Sequence, residues 1–233
     1  MKDGAISILP LAIGVGLYGF AFGILAAQTG YPWWAVTVMS LSVYAGASQI
    51  VAVERFSVDG LVIGAALAGV ALNLRYLGII ASVSGMFASM PRWVQLIAIH
   101  LSSDENWALS IAKNITEPRA GTMFLIGSGL TMMSFWVVST ALGAALGAVI
   151  PDLASYGLGF AFTAAFIAMA RAMWRGSHQL APWTVSFLAA LSLVRLGMES
   201  AYAIVIASLM GVAVAAWMRS RRARAHTESH DDA

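Results

Sequence analysis

The chain has 233 residues, 60% of them hydrophobic and 10% charged, with a mean hydropathy of +0.80 and a formal charge of +2. So little charge cannot cover the surface of a soluble domain of this size, and the composition points to an integral membrane protein. With no cysteine in the sequence, disulfides, thiolate catalysis and cysteine metal sites are excluded.

A membrane-crossing helix needs about 20 mostly apolar residues to cover a hydrocarbon core of roughly 30 Å. Runs that meet this fall near 6–27, 33–53, 60–82, 92–112, 121–149, 157–174, 181–198 and 200–218. They predict an all-α, polytopic transmembrane helix bundle of seven or eight spans. The first run follows Lys2 and is read as a span rather than a signal peptide, because the remainder of the chain is equally apolar. Gly30-Tyr31-Pro32, Asp59-Gly60, Met90-Pro91-Arg92, Thr116-Glu117-Pro118 and Pro151-Asp152 punctuate the runs. Tyr31, Trp33, Trp34 and Trp93 mark edges where amphipathic rings settle at headgroup level. The last two runs are separated only by Arg195-Leu-Gly-Met-Glu199.

These boundaries give one transmembrane domain, 1–218, and a tail, 219–233, that is first basic (Arg219, Arg221, Arg222, Arg224), then acidic, and expected to be disordered. The arginines mark a cytoplasmic end; no folded basic surface accompanies them to suggest nucleic-acid binding. With eight spans, the inner segments carry Lys2, Arg55, Lys113, Arg119, Arg171 and Arg175 and the outer ones Arg92 and Arg195, which places both termini inside. Arg171, Arg175 and His178 then read as a basic inner loop. Gly19-Phe20-Ala21-Phe22 recurs as Gly159-Phe160-Ala161-Phe162 five spans later, in the opposite direction, as an inverted repeat requires. Gly19 and Gly23 have the spacing that lets helix backbones approach closely.

Polar residues inside spans carry a cost that packing does not demand, so they single out candidate sites. In Ala45-Gly46-Ala47-Ser48-Gln49, small residues beside Ser48 and Gln49 either open the helix toward a cavity or simply bond a neighbouring helix. In Leu72-Asn73-Leu74-Arg75-Tyr76, Asn73 and Arg75 point to nearly opposite sides of an intact helix. Arg75 there either snorkels to an interface or receives a carboxylate through both arms of its fork.

In His100-Leu-Ser-Ser-Asp104-Glu105-Asn-Trp-Ala-Leu, an intact helix puts His100, Asp104, Trp107 and Ile111 on one stripe and turns Glu105 away by about 100°. Each mid-span acid is disfavoured by about 2.5–3.5 kcal/mol, while the seven Leu, Ile and Val residues of 92–112 offset only about 2–4 kcal/mol together. The acids must therefore be paired, protonated or hydrated; a structural ion pair of Asp104 with Arg75, Arg171 or Arg195 is one outcome. No metal site is expected, because histidine ligands are missing: His178, His226 and His230 stand far along the chain.

Five motifs in this order, Gly19 to Ala26, AGASQ at 45–49, LNLRY at 72–76, DENWAL from Asp104 and GLGFAFTAAF at 157–166, make residues 6–218 resemble the AzlC-type large subunit of branched-chain amino-acid exporters. The resemblance implies export of valine, leucine and isoleucine across a bacterial inner membrane, with an AzlD-type small membrane subunit as obligatory partner. Tyr76, where the family commonly has His, and Asn106-Trp107, where it has Thr or Ser followed by Phe, depart from the pattern and bear on the substrate.

A zwitterionic substrate needs an acceptor for its ammonium, donors for its carboxylate and an apolar pocket. The expectation is that Asp104, or Glu105, alternates between ammonium and proton, with His100 assisting, because a desolvated acid holds a proton more readily; the stripe shared with His100 assigns Asp104 to transport and leaves Glu105 to a structural pair. Arg75, or the amides around Gly46, receives the carboxylate, and Asn73, Gln49 and Ser48 orient it. No GxxxxGK[ST] motif occurs, so proton antiport is the expected drive. No enzymatic activity or cofactor is expected. A transporter or channel for another small solute, and a structural membrane subunit, stay open as alternatives.

Overall fold

The computed structural model describes residues 1–113, 117–147, 167, 170, 171, 174 and 176–231. Every regular element among them is helical, as the composition predicts. The chain divides into two compact units, Met1–Ala172 and Met173–Ala233.

The first unit contains α1 (Lys2–Gln28), α2 (Trp33–Ser42), α3 (Gly46–Asp59), α4 (Val62–Asn73), α5 (Arg75–Phe87), α6 (Arg92–His100), α7 (Asp104–Ala112) and α8 (Pro118–Gly147). Its spine is the pair α1 and α8. Met1 lies against Gly127, Phe20 against Gly143 and Ile24 against Gly147, so the two helices run parallel. A Cβ on Gly23 would run into the Thr140 carbonyl, and one on Gly143 into the Phe20 carbonyl. These glycines let the backbones touch, which is how helices gain dispersion energy where lipid supplies no hydrophobic drive between them.

Lys2–Gln28, Val62–Phe87 and Pro118–Gly147 are long and apolar enough to cross a membrane, as is Tyr202–Arg221 in the second unit. The runs 33–53 and 92–112 do not form continuous spans, and here the sequence reading is corrected. The first breaks at 43–45, where Tyr44 adopts φ 45, and α3 then turns back along α2. Ser40 and Gln49 meet across this hairpin, and at its base the Phe56 ring reaches Tyr31, at the end of α1, with centroids 5.7 Å apart. The hairpin therefore enters from the face where α1 ends and returns to it.

The second run breaks at 101–103, and α7 turns back toward the face where α1 begins. The Trp107 Nε1–H donates to Ser82 Oγ at 2.7 Å, and Trp107 and Ile111 pack with Val83, Phe87 and Val94 rather than continuing across. Its physical reason was present in the sequence: Ser103 is an N-cap whose Oγ accepts from the Asn106 N–H at 3.4 Å, with Asp104 and Glu105 in the first helical turn, where the helix dipole favours acids. SSDEN is a helix start, not a mid-helix stretch.

Between the hairpins, α4 and α5 form one crossing interrupted at Leu74. There Leu74 N–H bonds to Ala71 O at 3.3 Å and Leu77 N–H to Leu74 O at 3.1 Å, a one-residue tightening. Hairpin plus long helix over 33–87 is thus repeated upside down over 92–147. The inverted relation lies between these segments. The second copy of the Gly-Phe-Ala-Phe echo, at 159–162, is outside the described residues, as is most of the run 157–174.

The turn-backs also redistribute charge. Lys2, Arg92, Lys113 and Arg119 share the face where α1 begins, and Arg55 moves to the other. Eight full spans had placed Arg92 and Arg55 the other way round.

In the second unit, α9 (Leu180–Arg195) and α10 (Ser200–Asp231) are joined by a short turn containing Gly197 at φ 87, where the sequence placed its cut. The pair packs closely at Gly211, beside Ser186 and the Pro182 carbonyl. α10 continues to Asp231, and its Ala- and Arg-rich sequence favours helix.

Candidate functional site

The three helix breaks meet in the first unit and line a cavity of about 50 Å³. Gly46, Arg75 and Asp104, which open α3, α5 and α7, all line it. Three helix N-termini thus converge there, each equivalent to roughly half a positive charge from its unpaired N–H groups. The walls are Val15 of α1 and Met132 and Trp136 of α8, with the rings of Tyr18, Tyr44 and Tyr76 between them.

Arg75 Nη2 stands 3.0 Å from Asp104 Oδ2, with side-chain exposures of 39% and 17%. The guanidinium also lies over the Tyr76 ring, 5.3 Å from its centroid. Of the ion-pair partners considered from sequence, Arg75 is the one the structure gives Asp104. Glu105 lines the same cavity, although an intact helix had turned it away. The insertion deficit is met here by Arg75 and by the N-terminus of α7, which carries both acids in its first turn.

Gly46 lets the wall close: a Cβ there would meet the Trp136 ring at 2.8 Å and the Tyr18 ring at 3.1 Å. Ser48, Gln49 and Asn73 stand behind the wall rather than in it. Ser48 Oγ donates to Asn73 Oδ1 at 2.5 Å, tying α3 to α4. Gln49 accepts from Trp136 Nε1 at 3.0 Å and donates to Ser40 Oγ at 3.2 Å, while Thr140 Oγ1 donates to the same Ser40 Oγ at 2.9 Å. This buried network fixes the Trp136 ring, which also stacks on Phe22 at 5.8 Å.

His100 ends α6, so it shares no stripe with Asp104. It is exposed, its Nε2 lies 3.0 Å from the Leu41 carbonyl, and its ring centroid is 6.4 Å from that of Tyr44. It links the tips of the two hairpins outside the cavity lining. Leu41 supplies one of the carbonyls that the end of α2 leaves without a helical partner.

Sequence reasoning missed the part played by Asn106, noted only as a departure from a family pattern. Fully buried, it accepts from the Ser103 N–H at 2.7 Å and donates to Leu101 O at 2.7 Å and Leu125 O at 3.4 Å. One side chain closes the hairpin tip and fastens it to α8. The Ser-x-x-Asn spacing was the available signal, a relative of the capping box. Trp136, Tyr18 and Tyr44 carried no signal beyond being aromatic. Among the described residues, no group of three His, Asp or Glu side chains could hold a metal ion.

Broken helices whose N-termini and charged side chains face a cavity inside an apolar bundle define a membrane protein of transporter type. The chain belongs to the AzlC family, whose model, described as AzlC protein, matches residues 10–150 and so covers both hairpins, α4, α5 and α8. It is similar to an uncharacterized membrane protein of Helicobacter pylori strain J99, 27% identical over 215 residues and 91% of each chain. It is likewise similar to one of Archaeoglobus fulgidus, 28% identical over 219 residues, 93% of this chain and 94% of that one. No solved structure matches it.

Proposed function

We propose that this protein is a secondary transporter exporting branched-chain amino acids, valine, leucine and isoleucine, by proton antiport across a bacterial inner membrane. In this reading it works with a small membrane subunit of the AzlD type. The observation that carries it is the cavity itself: one guanidinium, two carboxylates and three helix N-termini around an apolar wall. A zwitterion with an aliphatic side chain matches each part, its carboxylate on Arg75 and the N-terminal amides, its ammonium on an acid, its side chain against Val15, Met132 and Trp136.

A cavity of about 50 Å³ has room for a few waters, not for a branched-chain amino acid. In this reading the hairpins part to admit substrate. Because α2–α3 enters from one face and α6–α7 from the other, moving either one opens the same site to a different side. Lys2, Arg92, Lys113 and Arg119 gather on the face where α1 begins, which supports reading that face as cytoplasmic.

The test is efflux of preloaded valine from cells expressing the chain with its partner. Export against a valine gradient, driven by an imposed inward pH gradient, is expected. Flux that only ever follows the valine gradient would make the protein a passive pore.

A further inference from the structure

Resting on the transport reading, we propose that the two adjacent acids divide the work: Glu105 carries the coupling proton, and Asp104 is the internal stand-in that holds Arg75 until a substrate carboxylate displaces it.

The geometry separates the two residues by partner. Asp104 is engaged with Arg75 at 3.0 Å. Glu105 lines the same cavity and, among the described residues, forms no ion pair. The polar groups that line the cavity with it are Tyr18 from α1, Tyr44 from the first hairpin, Ser103 at the second hairpin tip, whose hydroxyl bonds it, Tyr76 from α5, the Arg75 guanidinium already held by Asp104, and Asp104 itself. The lining contributed by α8, Met132 and Trp136, is not titratable. The Glu105 carboxylate thus has the Ser103 hydroxyl and the α7 N-terminus beside it but no cation of its own, and is the acid left to carry a proton.

Substrate reverses the balance. Its carboxylate takes the Arg75 fork, one carboxylate replacing another on the same guanidinium. The substrate carboxylate frees one acid, Asp104, which balances the ammonium; the ammonium also competes with the proton for Glu105, whose proton leaves to the inner side as the ammonium settles against its carboxylate. On the far side the amino acid leaves, Asp104 returns to Arg75, and Glu105 takes a proton before the site reopens inward. No bond other than O–H is made or broken, and one proton enters for each amino acid exported.

The experiment uses the chain with its small partner in proteoliposomes, reading valine and proton fluxes together. The wild type is expected to move one proton per valine and to concentrate valine about tenfold under a one-unit pH difference. Glu105→Gln is expected to lose this accumulation while valine–valine exchange stays measurable with a raised KM. Asp104→Asn, which leaves Arg75 unoccupied, is expected to keep the proton-to-valine ratio and to change KM. Accumulation surviving in Glu105→Gln, or membrane-inserted Glu105→Gln without exchange, overturns the proposal. Should the Gln variant not reach the membrane, Glu105→Asp is read instead: coupling must persist with a displaced pH profile, and an unchanged profile overturns it. Absence of valine flux in the wild type defeats the transport reading itself, a distinguishable failure.

Discussion

Arg75 and Asp104 lie 29 positions apart in sequence and 3.0 Å apart in space, each the first residue of a helix that begins inside the bundle. Their pairing joins the central crossing to one of two hairpins. Neither residue alone is tolerable at that depth, since each charge depends on the other and on the helix N-terminus behind it. Asp104→Ala and Arg75→Ala are each expected to lower the amount of folded protein in the membrane, with efflux falling at least tenfold. The double variant is expected to recover folded protein, because no unpaired charge remains, but not efflux. Quantitative membrane blots beside valine efflux check both arms, and recovery of transport in the double variant would contradict the assigned role of Arg75.

Spine packing makes a prediction with an internal control. Gly23→Leu forces α1 away from the Thr140 carbonyl, whereas a Cβ at Gly14 has nothing within 4 Å. Overpacking of this kind costs about 1–3 kcal/mol or more, which for a chain of this length lowers Tm by about 2–4 °C per kcal/mol. Thermal unfolding in detergent should show that drop for Gly23→Leu and little change for Gly14→Leu.

The second hairpin tip depends on Asn106 and Ser103. Ser103→Ala removes a cap worth about 0.5–2 kcal/mol. Asn106→Leu leaves the buried Ser103 N–H and Leu101 carbonyl unpaired, each costing about 1–3 kcal/mol. The second variant should therefore be less stable than the first in the same melting assay, and should inactivate transport by loosening the tip that presents Asp104 and Glu105.

How far the sequence led is seen in these same residues. Composition and apolar runs were enough for an all-helical membrane protein, and the small residues of 45–47 marked a real break. Arg75, Asp104, Glu105 and Gly46 do meet in one cavity. Spans were misjudged where an apolar run was long enough to cross but folded back, because hydropathy counts residues and is blind to direction. The SSDEN cap outweighed the length criterion at 92–112, and the left-handed Tyr44 did so at 33–53. Ser48, Gln49 and Asn73 were polar for a different reason than expected: they brace the wall from behind.

Hairpin topology is checked by sidedness. The chain has no cysteine, so single cysteines report unambiguously. Arg92→Cys and Lys113→Cys should react with an impermeant thiol reagent from the same face, and Trp33→Cys from the opposite one. Reaction of Arg92→Cys and Lys113→Cys from opposite faces would restore a full crossing for 92–112.

Movement of the tips is checked by tethering them. The His100 ring meets the Leu41 carbonyl across the two hairpins, so the Leu41→Cys/His100→Cys pair should be joined by a short, reducible bifunctional thiol reagent. Valine efflux should then stop, and reduction should restore it; efflux unaffected by the cross-link would mean that the tips do not separate during transport.

The central claim, that this cavity receives the amino acid, is tested most directly by substrate protection of Ala47→Cys, a lining position at the start of α3. With the partner subunit present, valine is expected to slow modification of this cysteine by a small permeant thiol reagent at concentrations near its transport KM, whereas a sugar alcohol leaves the rate unchanged. Modification at the same rate with and without saturating valine, in a variant that still transports it, would contradict the claim.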